Sequence, residues 1–542
     1  MSVVGPETTS LYDQVPYTSL SYSESHPDRL ATTATLFGMA PAPVARCRVL
    51  ELGCASGGNL IPMAYGLPGS QFLGIDLSRR QIEQGRTTIA ELGLDNVALE
   101  PLNILDIDSD LGVFDYIIAH GVYSWVPAAV QDKLFEVCRQ CLAPQGVAYV
   151  SYNTYPGWSM IGVVRDMMLY HTRDISDPLE QVDRARSIVQ FVRDGVPDQS
   201  SAYAAFLRAY SDLLGDPKES SKGSDGSLVL HDELSEVNEP VYFSHFIEHA
   251  GRYGLQYLSE AQYHRTEPHD LSEESVERLE NLAQDRIEYE QYLDFLRNRT
   301  FRQTLLVHSD VALSRKIKPE RLMSFYVVSH TQPDADVGDS GDRSVWRFRN
   351  ADGRSISTNH PVSREAMLRL GQVWPLSVRF DHLFSGARSQ MGLAPAVGDL
   401  ELDVQALAET VLTGYGYTGS LVELHVYQPP FTLDIGARPY ASPVARWQAK
   451  NRMMVTNLRH ERVRLDAFSR YLLLCLDGKH DRGALVRRFL EGPVADGMLS
   501  IKSDDADQDE DMASLLKEEI GARLTWLAQA ALLCPGSGRA GG

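Results

Sequence analysis

A chain of 542 residues is too long for one hydrophobic core, and about three units are the first expectation. Its composition, 43% hydrophobic and 23% charged, is globular rather than disordered, and no apolar run approaches the roughly 18 residues of a membrane span. Fifty-one basic against 72 acidic residues give a net charge of −21, which argues against general attraction to nucleic acid or anionic lipid and favours a basic protein segment as partner.

The opening MSVVGPETTS has neither a basic nor an apolar leader pattern, and six cysteines (Cys47, Cys54, Cys138, Cys141, Cys475, Cys534) are few for this length, so a reducing, cytoplasmic location is expected. Tyr12, Tyr17 and His26 precede the first strand, where a segment can lie over a ligand. At Val49–Asn59 a buried strand enters a glycine-rich turn and then a helix. The glycines allow close approach of the backbone, and free amides at the helix start would favour a carboxylate or phosphate. A second strand, Gln71 to Leu77, carries Asp76, 23 residues after Gly53 and suited to the two hydroxyls of a ribose.

That pattern alone fits a dinucleotide or S-adenosylmethionine. Ala55 stands where the dinucleotide fingerprint has its middle glycine and would crowd a pyrophosphate, whereas Glu51, two residues before Gly53, matches the first acid of a class I methyltransferase. S-adenosylmethionine is therefore the expected cofactor, held by Glu51, Gly53, Cys54, Ala55, Gly57, Asn59, Asp76, Leu77, Asn103, Ile104, His120 and Tyr17. Asn103 is the choice for the adenine amino group, with Asp106 as runner-up.

The alternation continues with a helix over 81–92, strands at 97–104 and 114–119, a helix over 128–142 and a strand at 147–152, which predicts an α/β, Rossmann-like doubly wound sheet. Cys138 and Cys141 fall in the helix with Val130, Leu134 and Val137 and read as its core side. Helices follow at 160–172, 179–193 and 200–214, then a polar linker from Asp216 to Ser227. A helix at 244–253, a strand at 255–258, helical sequence over 272–298 and a strand at 301–307 are placed to close the sheet. His245 and His249 with Glu248 match an inverted zinc-peptidase pattern, but the same helix fits the last crossover of the sheet, and no metal is expected.

The predicted organisation is a methyltransferase domain over 1–310, with helical insertions at about 159–230 and 264–299 and a regulatory segment at about 220–306. A linker and irregular segment (311–357, with a polar hinge at 334–342) leads to small α+β winged-helix-like C-terminal units: a winged-helix-like stretch at 358–432 and a helical unit at 433–534. The latter carries an acidic loop from Asp504 to Asp511, and residues 535–542 form a disordered tail.

The chain resembles the class I methyltransferases that carry a methyltransferase regulatory domain, a group that includes the rickettsial protein lysine methyltransferases. The resemblance rests on YDQVPY at 12–17 with HPDRL at 26–30, ELGCASGGNLIPMA at 51–64, AHGVYSWVP at 119–127 and SYNTYPGW at 151–158. It continues in HDEL at 231–234, NEPVYF at 238–243 and residues 296–306. It implies a cofactor-binding core, helical middle elements and a C-terminal domain, with methyl transfer to lysines of an outer-membrane protein in the characterised rickettsial members. A protein substrate is the implied partner, with no nucleic acid or membrane.

In such a fold the acceptor meets the methyl group near the carboxyl ends of the fourth and fifth strands, which points to His120, Tyr123, Trp125, Asn153, Tyr155 and Trp158. Aromatic faces and a side-chain carbonyl suit an aliphatic amine. Packing anchors are the competing reading of Trp125 and Trp158, and a core or cofactor role that of His120.

Overall fold

The structure, a computed structural model, describes residues 19–214, 233–334, 345–392, 400–417, 421–497 and 510–536. Tyr12, Tyr17, the linker at 216–227, most of the hinge and of the acidic run, and the tail from 537 lie outside the described residues.

Strands β1 (Arg48–Leu52), β2 (Gln71–Asp76), β3 (Val97–Pro101), β4 (Phe114–Ala119), β5 (Leu142–Asn153), β6 (Leu255–Glu260) and β7 (Phe301–His308) form one sheet in the order β3-β2-β1-β4-β5-β7-β6. β1 to β5 are parallel, and β7 runs antiparallel between β5 and β6. Residues 231–310 thus supply the sheet's two closing strands. The strand order reverses between β1 and β4, and the crevice at their carboxyl ends is where such a sheet takes its ligand.

Both faces of the parallel strands are apolar because helices cover both. On one side α1 (Pro27–Leu36), α2 (Leu60–Gly66) and α3 (Arg79–Leu92) bring Leu30, Met63 and Ile82 against Val49 and Phe72. On the other, α4 (Ala128–Cys141) packs Leu134, Phe135 and Cys138 against Leu50, Ile117 and Val150. Ser78 caps α3 through the Gln81 amide, and Gly93 ends it in the left-handed conformation.

Three helices after β5, α5 (Gly157–Thr172), α6 (Pro178–Gly195) and α7 (Ala202–Leu214), share a small core of Val164, Met168, Val182, Val189 and Leu207. Before β6, α8 (Phe243–Arg252) adds Phe246 and Ala250 to the core beneath α4. Between β6 and β7 lie α9 (Glu273–Leu282) and α10 (Arg286–Arg297), and α10 is fastened to the sheet by a buried cation. Arg302 on β7 bonds Glu260 at 2.6 Å and Asp294 at 2.8 Å, with Glu290 at 3.1 Å. Removing one partner of such a buried set costs about 3–5 kcal/mol.

Two sequence expectations change beyond β7. The stretch 311–357 is not a plain linker: Tyr326–Val328, Trp346–Arg349 and Ser355–Thr358 are short strands, and Val327, Phe348 and Ile356 share a core with Met367, Leu370 and Leu407. Strands of three or four residues carry too little alternation to be seen in sequence. Glu423–His425 then pairs with Tyr326–Val328 rather than with a local hairpin partner, so 358–432 is not a free-standing winged-helix-like unit. The helix-and-hairpin arrangement lies further on, where Met454–Thr456 pairs with Arg462–Arg464 among Pro443–Ala449, Ala467–Cys475, Arg482–Phe489 and Glu510–Gln529. No helix among the described residues is long and apolar enough to cross a membrane.

Candidate active site

β1 ends in a loop that folds back onto β2. Gly53, Ala55 and Gly57 take positive φ angles of 73°, 50° and 75°. Gly53 and Cys54 donate their amides to the Ile75 carbonyl at 2.8 and 3.0 Å, and Ala55 donates to Asp76 Oδ2 at 2.8 Å. The other Asp76 oxygen accepts from the Ser78 amide at 2.8 Å. These two bonds fix the orientation of the Asp76 carboxylate at the end of β2. Leu77 beside it is 70% exposed, an apolar surface fit for the face of a purine.

The amides of the loop that leads to the helix start at Leu60 are mostly committed. Gly57 donates to the Cys54 carbonyl at 2.9 Å and Gly58 to Ser19 Oγ at 2.8 Å, so five successive donors of the loop, with only Ser56 interposed, are satisfied within the protein. The loop shapes the cleft rather than offering an anion site. Glu51 supplies the complementary feature: it is 3% exposed, its Oε1 accepts from Asn59 Nδ2 at 2.8 Å, and its Oε2 is buried without a partner. Burial pushes its carboxyl up to about 7, against the Asn59 hydrogen bond. An orphaned buried carboxylate oxygen fits the α-ammonium of a methionine, and with Asp76 and Leu77 the residues fit S-adenosylmethionine from end to end.

Asn103 Oδ1 already accepts from the Leu105 amide at 3.0 Å and so has one acceptor position left for an adenine amino group. Ile104 and Asp106 lie on the short turn that Asn103 caps. Cys54 is buried, and burial raises its thiol well above the ordinary value, which removes it from nucleophilic chemistry.

The candidate acceptor side is assembled from distant stretches. Asn153, 3% exposed at the end of β5, donates its backbone amide to Ser124 Oγ at 2.9 Å and its Nδ2 to Asn238 Oδ1 at 3.0 Å. Glu239 donates to the Ser124 carbonyl, Val241 to that of Asn153, and Tyr155 to that of Val241. Residues 238–242 are thereby stitched to the strand end, and the Tyr242 ring comes to 5.2 Å from that of Tyr155. Trp125 is half-buried with its Nε1 donor unpartnered, and Trp158 is buried at the start of α5.

Three sequence candidates have other tasks. Tyr123 is 2% exposed among Phe135, Tyr152 and Phe246, and its hydroxyl is 2.9 Å from His249 Nδ1, so it belongs to the core and not to the acceptor wall. His120 stacks on Tyr22 at 3.6 Å and shares a hydrogen bond with the Tyr149 hydroxyl at 2.9 Å. Burial, with the Arg462 charge, pulls it down to about 3, too weak a base to take a proton at neutral pH. His26 caps α1 by accepting from the Asp28 amide at 3.2 Å, and Tyr22 is the upstream side chain that lies on His120. The zinc-like motif is absorbed by the fold, with His249 bonding Asp132 at 2.7 Å and Glu248 pairing with Arg252. Among the described residues no group of three or more His, Cys, Asp or Glu could hold a metal ion.

Sequence reasoning missed Tyr22, Ser124, Asn238 and Tyr242. Asn238 and Tyr242 lie within NEPVYF, away from the strand ends, and nothing in that motif gives their location.

Comparison with known proteins agrees with this fold and with the expected cofactor. The family described as "Methyltransferase domain" matches residues 50–148, "Predicted methyltransferase regulatory domain" 225–308, and "PKMT, C-terminal winged helix domain" 437–532. An uncharacterized protein of Rickettsia prowazekii is 34% identical over 497 residues, 90% of this chain and 87% of that one. The structure of PKMT2 from Rickettsia typhi, 30% identical, superposes with a TM-score of 0.82 over 96% of this chain and 100% of that chain, and PKMT2 has also been solved in complex with AdoHcy. The chain therefore belongs to the class I S-adenosylmethionine-dependent methyltransferases that join a regulatory domain to a C-terminal winged helix, the family of the rickettsial PKMT proteins, and S-adenosylmethionine is its cofactor.

Proposed function

We propose that the chain methylates lysine side-chain amines of a protein. The observation that carries the reading is Asn153: with Nδ2 committed to Asn238, its Oδ1 remains as an acceptor at the end of β5, two residues before half-buried Tyr155. The rickettsial relative's designation, PKMT, supports the same class.

Bound S-adenosylmethionine supplies an electrophilic methyl group on a sulfonium. The protein has to align a nucleophile and exclude water. Asn153 Oδ1 accepts one N–H of a neutral amine and so orients its lone pair, while Trp125 and Tyr155 hold the aliphatic stem. Among the described acceptor-side candidates the histidine, His120, is held far too low to serve as a base near neutral pH, so the amine loses its proton before attack. The rate should rise with pH as an amine with a free value of about 10.4, lowered by desolvation, deprotonates.

Mass spectrometry of basic candidate proteins incubated with isotopically labelled donor tests the reading. The label should appear on lysine Nζ. Label on oxygen or carbon of a small molecule, with proteins unmodified, replaces it by a tailoring methyltransferase.

A further inference from the structure

The hairpin of the C-terminal winged helix reaches the cofactor loop. In its turn Asn457 Oδ1 accepts from the Arg459 and Glu461 amides at 2.9 and 2.8 Å, and His460 is held at a φ of 63°. His460 is 3% exposed, and its Nε2 lies 2.8 Å from Asn59 Oδ1, 401 residues away in the chain.

The neighbours fix the polarity of that contact. The Tyr22 backbone amide can only donate, and it lies 2.9 Å from the same Asn59 atom, which is therefore the carbonyl oxygen. His460 must then carry its proton on Nε2 and donate. Asn59 Nδ2 is turned in consequence to Ser25 Oγ at 2.9 Å and Glu51 Oε1 at 2.8 Å. Burial keeps His460 neutral, which suits a fixed donor. The C-terminal unit also secures the segment over the loop: Arg452 donates to the Ser19 carbonyl at 3.0 Å, and Thr456 Oγ1 donates to Ser21 Oγ at 3.0 Å.

We propose that His460 is a positioning residue of the cofactor site: it fixes Asn59, Asn59 fixes one oxygen of Glu51, and the other Glu51 oxygen is presented to the methionine ammonium of the cofactor. The winged helix then completes a site that the catalytic sheet leaves unfinished. The inference rests on the cofactor and not on the acceptor, so failure of the lysine reading leaves it standing.

Calorimetry with AdoHcy on the full chain, beside kinetics in S-adenosylmethionine, tests it. His460→Ala should weaken AdoHcy on the order of 10-fold, the worth of one buried hydrogen bond, and raise KM for the donor while KM for the acceptor stays put. His460→Gln, whose amide can donate in its place, should recover most of the loss. Adding His460→Ala to Asn59→Ala should cost almost nothing more. Leu472→Ala, which removes packing from the same unit without touching the contact, should leave the Kd of the folded protein unchanged. Unaltered AdoHcy binding in His460→Ala overturns the proposal, as does a loss that Gln does not recover or that Leu472→Ala reproduces. If His460→Ala does not fold, Asn59→Ala decides: it must show the loss in donor affinity, and normal binding there overturns the proposal.

Discussion

The donor half of the cleft takes Glu51, Gly53, Ala55, Asn59, Asp76 and Leu77 from two adjacent strands and the loops at their ends, whereas the proposed acceptor half takes Trp125, Asn153, Asn238 and Tyr242 from three stretches spread over more than a hundred residues. One half is built on local backbone geometry, with His460 as the distant contact to its Asn59. The other exists only when the regulatory segment is docked on β5, which makes acceptor placement the more fragile property and the easier one for related chains to vary.

The largest effect that sharpens this contrast comes from ending the chain near residue 165. β5 then loses β7, its antiparallel partner from Ala148 to Asn153, and exposes an apolar edge. The fragment should be insoluble or unfolded by circular dichroism, and a soluble fragment that binds AdoHcy would show the donor half to be self-sufficient. Next, Asp76→Ala removes the ribose ligand and leaves the Ala55 and Ser78 amides without their acceptor, so AdoHcy affinity should fall on the order of 100-fold by calorimetry.

Asn153→Ala should do the opposite, lowering kcat by about 30-fold, near 2 kcal/mol at the transition state, with the AdoHcy Kd unchanged. Equal losses in both parameters would merge the two halves.

A pH effect belongs to the donor half. Glu51 is held near 7 in the fold against an ordinary 4.5. A raised value means that its contribution to the stability of the cofactor-free protein is present below about 4.5 and is lost as pH rises through about 7, to an upper limit of about 3 kcal/mol. The α-ammonium of the ligand prefers the ionised carboxylate, so AdoHcy should bind more tightly as pH rises from 6 to 8, and Glu51→Gln should flatten that dependence. The smallest effect is that of Tyr123→Phe, which removes the His249 contact: about 1 kcal/mol of stability in denaturant melts with little change in rate.

What could be read from the sequence follows the same division. Gly53, Asp76 and the alternation of strands and helices are legible because each depends on neighbours a few residues away, and the closing pair at 255–260 and 301–308 is legible because its strands are long enough to alternate. Tyr123 was misplaced since a tyrosine after a strand end looks the same whether it turns to the cleft or, as here, beneath α4. The role of residues 238–242, the pairing of Glu423–His425 with Tyr326–Val328, and the reach of His460 to Asn59 all join segments far apart in the chain, and one sequence carries no trace of such contacts.

A crystal structure with AdoHcy and a lysine-containing peptide measures the central claim most directly. The ribose should lie on Asp76, the ammonium against Glu51, and the lysine Nζ within about 3.2 Å of Asn153 Oδ1 on the line from the sulfur. A ribose away from Asp76, or an amine seated without contact to Asn153, would contradict the account.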